Sequence, residues 1–174
     1  MQSNNNLCTG TLQAFGTGEV QAAPDEAVVE LSVITEAPTA AAAVSSNAQR
    51  TQQVIAAVSA QPNHGVTTRG PYLYPIIRFD QNTQTSTIIG YRAINTVVVE
   101  TKPSYAGQIF DAGVKAGANE SSGITFRLQN DAPFREQALE LAVEEAFSEA
   151  RVVAQASGVQ LDAPEHIYIE PVAR

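Results

Sequence analysis

Few residues of this 174-residue chain could carry out catalysis or hold a metal. The histidines are His64, in the loop at residues 63–65, and His166, near the end of the chain; the one cysteine is Cys8. A nucleophile with its base, or a set of metal ligands, needs partners at defined spacing. No neighbouring Cys, His or acidic residue supplies such a spacing to either histidine. We therefore predict no catalytic residue, no metal site and no cofactor, and we interpret both histidines as surface residues.

Two short segments begin like binding loops without completing them. Gly16-Thr17-Gly18 resembles the opening of a dinucleotide-binding fingerprint, but Gln21 stands where its third glycine would be, and no helix follows directly. This favours a turn at the end of a strand. Residues 80–82, Asp-Gln-Asn, begin like a calcium loop but lack the glycine and the bidentate acid that such a loop requires. This favours the polar tip of a hairpin.

The last long helical pattern carries a row of acids and a row of alanines. The acids favour a solvated face: Glu136, Glu140, Glu144, Glu145 and Glu149. Alanine recurs at every fourth position and lets a helix approach its neighbour closely: Ala138, Ala142, Ala146, Ala150 and Ala154. We interpret the alanine row as core packing, with an oligomer contact as the alternative.

Charge and composition limit the classes of partner. Ten Lys+Arg against eighteen Asp+Glu give a net charge of -8, and no run of basic residues offsets it. Phosphate backbones and anionic membrane surfaces repel such a protein, so we predict no nucleic-acid partner. No apolar stretch is long enough to span a bilayer, which predicts no transmembrane segment. With 44% hydrophobic residues and no Trp, the chain is expected to build an aliphatic core.

Residues 1–10 are predicted to form a flexible polar leader before a single domain at residues 11–174. No basic start followed by a hydrophobic segment marks a signal peptide, although the start could follow the removal of one. Cys8 cannot form an internal disulfide. We favour an incidental thiol over a lipid-attachment or redox cysteine. The scarcity of thiols suits an envelope compartment.

Hydrophobic periodicity predicts an α+β fold, in which helices cover an antiparallel or mixed sheet in the order ββαββαβαβ. Strands are predicted at residues 10–20, 27–35, 66–79, 87–101, 124–128 and 166–170, and helices at 38–61, 103–116 and 131–157. The first two strands are expected to form a hairpin. The first helix is expected to bury one stripe: Val44, Ala48, Thr51, Val54, Ile55 and Val58.

The hairpin predicted at residues 71–91 is the candidate functional surface. A strand covered on one side alternates apolar with polar residues, whereas this one is apolar on both faces: Tyr72, Tyr74 and Ile76 on one, Leu73, Ile77 and Phe79 on the other. One face is expected to enter the core, and the other then needs cover. Pro71 and Pro75 favour an edge strand. We predict that the main subunit contact contains Tyr72, Tyr74, Ile76, Ile88, Ile89 and Tyr91. The alternative is that the chain's own helices cover both faces.

Short segments in a fixed order carry a family resemblance: Gly16-Thr17-Gly18-Glu19 with Ala23-Pro24-Asp25-Glu26-Ala27; Val66-Thr67-Thr68 with Tyr74-Pro75; Gly90-Tyr91-Arg92-Ala93 leading to Asn95; Ala116-Gly117-Ala118-Asn119; Gly123-Ile124-Thr125-Phe126; and the alanine-spaced helix ending at Gly158-Val159. Together they resemble the SIMPL-domain family, which includes periplasmic immunogenic proteins of bacteria. The resemblance covers nearly the whole chain after the leader. It implies an envelope location, a tendency to form homo-oligomers and a loose link to stress tolerance, and it implies no established enzymatic reaction or catalytic residue.

Three functions are therefore compatible with the sequence. The favoured one is a non-enzymatic, self-assembling envelope protein, periplasmic or otherwise, with a structural or stress-protective role. The second is a monomeric adaptor module that binds another, unidentified protein. The third is an enzyme of unrecognised type.

Overall fold

A computed structural model describes residues 10–168 of the chain. These residues fall into two compact units. One unit is Ala23–Gln129, and the described part of the other consists of residues 10–22 and 130–168. Cys8 and the rest of the predicted leader up to residue 9 lie outside the described residues. The prediction of a single domain at residues 11–174 stays a prediction.

A four-stranded antiparallel sheet organises Ala23–Gln129. Its strands are β1 (Glu26–Ala37), β2 (Gly65–Asp80), β3 (Thr85–Thr101) and β4 (Glu120–Arg127). They lie in the spatial order β2-β3-β1-β4. β3 pairs along its length with β2 and, over its second half, with β1. The predicted α+β class is confirmed, and the sheet is antiparallel.

Two helices and a short turn of 3₁₀-helix complete this unit: α1 (Ala40–Ser59), the turn Pro103–Tyr105, and α2 (Ala106–Lys115). The Thr39 hydroxyl caps α1 by accepting a hydrogen bond from the Ala42 amide at 3.3 Å. After α2 the chain turns at Gly117, whose φ of 115° lies in the region that favours glycine. The helix starts and stops that the sequence predicts are therefore close to the observed ones.

The hydrophobic core lies between α1, α2 and one face of the sheet. Side-chain direction alternates along a strand, so the register places the odd-numbered residues of β1 and β3 on this face: Ala27, Val29, Leu31, Val33, Val97 and Val99. The helices contribute Val54, Val58, Ala106 and Ile109. A Cβ at Gly113 would lie 2.2 Å from Leu31 Cδ1. Hence α2 can approach the sheet this closely because position 113 carries no side chain.

One buried position of α1 is polar. Asn47 is buried, and its Nδ2 donates hydrogen bonds to the carbonyl oxygens of Val33 at 2.7 Å and Ala93 at 3.0 Å. A single amide thus ties the helix to two neighbouring strands. The predicted burial of Ala48 is wrong, because the buried stripe runs through Asn47 instead and leaves Ala48 exposed.

The opposite face of the sheet mixes polar pairs with buried valines. Its cross-strand pairs are Arg69 with Glu30, Arg92 with Glu36 at 2.7 Å, and the hydroxyls of Ser32 and Thr96 at 2.8 Å. Ion pairs this exposed contribute up to about 1 kcal/mol each. Val28 and Val98 lie on the same face and are only 9% and 8% exposed.

The second unit is built on helix α3 (Ala132–Ser157), which ends at Gly158 with a φ of 70°. Residues 10–22 lie along it without forming a helix or strand. A Cβ at Gly16 would be 1.9 Å from the Ala142 carbonyl oxygen, and one at Gly18 would be 1.7 Å from that of Ala138. The alanine row of α3 therefore supports close packing, as predicted, and its neighbour is this glycine-containing segment.

Two of the predicted strands differ from the structure. The segment at residues 10–20 is not a strand and does not pair with β1, because β3 and β4 occupy both edges of β1. The closing strand is not formed at residues 166–168, where Ile167 and Tyr168 are exposed, and its remainder lies outside the described residues. Over residues 10–168 the observed order is βαββαβα. None of the helices in this range is long and apolar enough to cross a membrane.

Candidate functional site

Past the core, β2 and β3 continue as a hairpin of two strands. The pairing of β1 with β3 ends at Ala37 and Tyr91, whereas β2 and β3 stay paired as far as Asp80 and Thr85. The core contacts of α1 and α2 lie in the part of the sheet that contains β1. A two-stranded hairpin cannot bury either of its faces by itself. The hairpin at residues 71–91 is therefore the least covered part of the sheet.

The tip of the hairpin is a polar turn. Asp80 Oδ1 accepts hydrogen bonds from the amides of Asn82 at 2.8 Å and Thr83 at 3.4 Å. Gln84 takes a positive φ of 53°, and the hydroxyls of Thr83 and Thr85 lie 2.7 Å apart. The Asp80 carboxylate thus closes the turn on the backbone. This confirms the polar tip predicted from the sequence.

The large apolar side chains of the hairpin are exposed on both faces. Their exposed fractions lie between 42% and 59%: Tyr72, Leu73, Tyr74, Ile77, Phe79, Ile88 and Ile89. The prediction that one face enters the core is therefore wrong, because neither α1 nor α2 extends over this part of the sheet. These two helices do not supply the alternative either, which was cover of both faces by the chain's own helices. The apolar patch remains open to a partner on either side.

The register divides the six predicted contact residues between the two faces. Tyr72 pairs with Ile94, Tyr74 with Arg92 and Ile76 with Gly90, so these three share one face. Ile88 pairs with Ile77 and Tyr91 with Pro75, which places both on the other face. The register shifts between Ile76 and Ile77, and Ile89 falls in the resulting bulge. The predicted contact residues therefore lie on two opposite faces of the hairpin, whereas the sequence predicts one surface.

β2 forms the outer edge of the sheet, as its prolines predict. Pro71 and Pro75 cannot donate hydrogen bonds, and both lie on this strand. A proline at the edge blocks continuous pairing with another strand. A partner is therefore expected to contact the faces of the hairpin rather than extend its ladder.

A shallow groove lies where β1 leaves the hairpin. Its lining is Glu36, Ala37, Pro38, Ile76, Ile89 and Gly90, and its volume is about 290 Å³. A Cβ at Gly90 would be 3.1 Å from the Ala37 carbonyl oxygen, so the strands approach closely at this point. No nucleophile or histidine lines the groove, and its chemistry is that of an apolar contact surface.

A cluster of charged residues joins the opposite end of the sheet. The buried carboxylate of Glu26 accepts a hydrogen bond from Arg127 Nε at 2.7 Å, and His64 Nδ1 lies 3.6 Å from it. Arg127 Nη2 also donates to Glu100 at 2.8 Å. The hydrogen bond to Glu26 raises the pKa of Arg127, and Glu100 adds to this effect. The arrangement ties together the ends of β1, β3 and β4, with His64 directly before β2.

Sequence reasoning missed this cluster because its members are far apart in the chain. His64 is partly exposed, as predicted, but it also faces Glu26. Nearby, Asp25 Oδ1 accepts a hydrogen bond from the Gln129 amide at 2.7 Å. Among the described residues, no group of three or more His, Cys, Asp or Glu is placed to hold a metal ion.

The acidic face of α3 includes one residue with a specific partner. Glu145 accepts hydrogen bonds from the Thr17 amide and from the Thr17 hydroxyl at 2.9 Å. The amide contact is the main cause that lowers the pKa of Glu145, followed by the hydroxyl contact. Gly16-Thr17-Gly18 therefore packs against α3. His166 is exposed, with its ring centroid 6.2 Å from that of Tyr168.

Comparison with known proteins places this architecture in a family. The family model SIMPL, described as "Protein of unknown function (DUF541)", matches residues 12–174. The chain belongs to the SIMPL family. Relatives of this SIMPL chain include the 26 kDa periplasmic immunogenic protein of Brucella melitensis biotype 1, 28% identical over 154 residues, which are 84% of this chain and 61% of the relative. The uncharacterized protein YggE of Edwardsiella ictaluri is 28% identical over 148 residues, with 84% and 62% covered.

The SIMPL chain spans less than two thirds of the length of these relatives. Among solved structures, a Bacillus cereus protein related to NIF3 aligns over 63% of this chain and 27% of its own, at 14% identity and a TM-score of 0.32. A likeness of this size carries no argument about fold or function.

The segments that carry the SIMPL resemblance lie at structural junctions. Gly16 and Gly18 allow residues 10–22 to contact α3, and Glu26 anchors the end of the sheet. The Asn119 side chain accepts a hydrogen bond from the amide of Ile34 at 2.8 Å and donates one to its carbonyl at 2.9 Å. It thus extends the pairing along β1 beyond Glu120, the first residue of β4. These residues position elements of the fold.

Proposed function

We propose that this SIMPL-family chain is a non-enzymatic, self-assembling protein of the bacterial envelope with a structural or stress-protective role. One observation carries the proposal: the hairpin presents large apolar side chains on both faces, with exposed fractions of 42–59%. Contiguous exposed apolar patches in soluble proteins mark interaction sites. Two such faces on one hairpin allow a chain to contact two neighbours.

The envelope location rests on the relatives and on thiol content. Both Brucella relatives are named periplasmic immunogenic proteins. The chain has one cysteine, which suits a compartment where thiols are oxidised. Fractionation of the native bacterium, followed by immunoblotting, is expected to recover the protein with periplasmic markers. Recovery with cytoplasmic markers would contradict this part of the proposal.

The non-enzymatic part rests on the roles of the clustered polar groups. Asn47 and Asn119 bond to strand backbone, and the Glu26 carboxylate is taken up by Arg127. These groups stabilise the fold, so they are not free to act on a substrate. A second function, binding of another protein by a monomer, would use the same hairpin.

The test is the mass of the particle in solution. Size-exclusion chromatography with light scattering is expected to show an oligomer for the wild-type chain and a smaller particle for Tyr74→Glu with Ile76→Glu. Burying the unpaired charges in a contact is costly, so the assembly should break. The matched control, Gln52→Glu with Gln53→Glu, adds the same charge to exposed positions of α1 and should keep the wild-type mass.

The possible outcomes separate the candidates. A wild-type chain that is monomeric at every concentration contradicts self-assembly and favours the adaptor. An unchanged mass for the double variant rejects Tyr74 and Ile76 as contact residues. Circular dichroism must show that the variant is folded; loss of structure would place these side chains in the folding core instead.

A further inference from the structure

Helix α3 carries an exposed apolar row beside its alanine row. Leu139, Val143 and Phe147 recur every fourth residue, so they lie along one stripe of the helix. Their side chains are 36–44% exposed, although the adjacent alanine row is in contact with residues 10–22. We call these three residues the apolar row.

A row of acids follows the apolar row on its other side. Glu136, Glu140 and Glu144 also recur every fourth residue and are all exposed. The whole of α3 contains five glutamates and only two arginines, so its net charge is negative. A partner for this surface must therefore combine apolar side chains with positive charge or hydrogen-bond donors.

One face of the hairpin has that chemistry. The alternation of β2 places Tyr72, Tyr74, Ile76 and Arg78 on the same side. Arg78 is exposed, and no carboxylate of the described residues lies within ion-pair distance of it, whereas Arg69 and Arg92 are paired with glutamates of β1. The two phenol hydroxyls are further donors for carboxylates. We call these four residues the Arg78 face.

We propose that the apolar and acidic rows of α3 in one copy of the chain dock on the Arg78 face of the hairpin in another copy. This inference rests on the proposed self-assembly and specifies its contact. The apolar row is about 12 Å long at 1.5 Å per helical residue. The Arg78 face, from Tyr72 to Arg78, is about 20 Å long at 3.3 Å per strand residue, so the row fits within it.

Charge disfavours contact between two helices. Two α3 helices in contact would bring acidic rows together, whereas Arg78 on the hairpin offers these acids a cation. Like charges across an interface disfavour the wrong partner. A contact between two different surfaces is head-to-tail, so each copy uses one surface toward each neighbour. Such contacts close into rings or extend as filaments.

The test uses two variants that each remove one surface. The hairpin variant is Tyr74→Glu with Arg78→Glu, and the helix variant is Val143→Glu with Phe147→Glu. Each alone is expected to be monomeric in light scattering. An equimolar mixture is expected to form a 1:1 heterodimer and nothing larger, because one intact hairpin and one intact helix remain between the two chains. The control, Gln52→Glu with Gln53→Glu, adds two charges to exposed positions of α1, outside both surfaces, and should keep the wild-type mass.

Other outcomes overturn the inference in distinguishable ways. A helix variant with wild-type mass beside a monomeric hairpin variant shows that hairpins contact each other; self-assembly stands and the inference fails. A mixture that stays monomeric also overturns it. A monomeric wild-type chain overturns the proposed function itself.

A second measurement avoids the apolar positions, in case their variants do not fold. Arg78→Glu alone is expected to raise the dissociation constant about tenfold or more, the scale of one charged contact. Adding Glu140→Arg to the same chain should recover part of that loss. A dissociation constant that the second substitution leaves unchanged or raises further would contradict the pairing of these two surfaces.

Discussion

The same strand, β3, behaves in opposite ways at its two ends. Val97 and Val99 are fully buried, whereas Ile88 and Ile89 are 57% and 46% exposed. Both segments are β-branched and apolar, so composition does not distinguish them. The difference is the second layer: α1 and α2 pack on Val97 and Val99, and neither helix reaches the other segment. An apolar strand is therefore a core element or an interaction surface according to what packs on it.

The largest expected effect is a difference in the free energy of unfolding between variants in the core and variants in the hairpin. Leu31→Ala removes a fully buried side chain that contacts α2, and it is expected to cost about 2–5 kcal/mol in the free energy of unfolding. Ile88→Ala, the matched change in the hairpin, should stay within about 0.5 kcal/mol in the monomer. Urea denaturation of dilute protein measures both. Equal losses would mean that the hairpin belongs to the core.

A smaller effect is expected at the polar tie within the core. Asn47→Leu keeps the size of the side chain but removes both hydrogen bonds to the strand carbonyls, at an expected cost of about 1–3 kcal/mol. Gln53→Leu on the exposed side of α1 is the control and should change stability little. If both variants unfold at the same urea concentration, the amide does not hold α1 to the sheet.

In the second unit, the expected effect is local. Gly18→Ala places a Cβ 1.7 Å from the Ala138 carbonyl oxygen, so residues 10–22 must move away from α3. Overpacking of this kind costs about 1–3 kcal/mol. Hydrogen exchange should speed up at the Thr17 amide, which donates to Glu145, while the sheet stays protected. Gly10→Ala, which meets no atom within 4 Å, should leave exchange unchanged; slower exchange in Gly18→Ala would refute the close contact.

The smallest expected effect is a pH dependence. Thr17 lowers the pKa of Glu145, so this contact stabilises the unit above the ordinary glutamate pKa and loses that contribution as the pH falls through the lowered value. Glu145→Gln should therefore remove a part of the acid sensitivity of the contact between residues 10–22 and α3. Proteolysis of that segment across the acid range, in wild type and variant, measures it. Identical pH profiles would exclude the role of the Glu145 charge.

Much of the fold follows from the sequence, and the failures have physical causes. The alternation of Val29, Leu31 and Val33 gives β1 and its core face correctly. Residues 10–20 are predicted to form a strand that ends in a turn at Gly16 and Gly18. In the structure these two glycines instead allow close contact with a helix, because they carry no side chain. Hydrophobic periodicity predicts that Ala48 is buried and Asn47 is not. The pattern carries no information about the two strand carbonyls that the Asn47 amide reaches in the structure.

For the candidate site, the sequence predicts the edge hairpin and its apolar residues but not their division between faces. Because of the bulge at Ile89, Ile88 lies on the face opposite Tyr74 instead of on the same face. A bulge leaves no reliable signal in the composition of a strand. The charged cluster around Glu26 is equally hidden, because its members come from the starts and ends of different strands.

The continuity of β3 has a mechanical consequence. A pull on the tip of the hairpin runs along the strand axis and reaches the core through the β1–β3 ladder, which has eleven paired positions. Force along antiparallel strands loads the bonds of a ladder in shear, so the paired positions resist together instead of opening one after another. The Arg127 ion pairs clamp the far end, where β1, β3 and β4 meet. A load applied at the hairpin would therefore be shared by the paired positions beside the core.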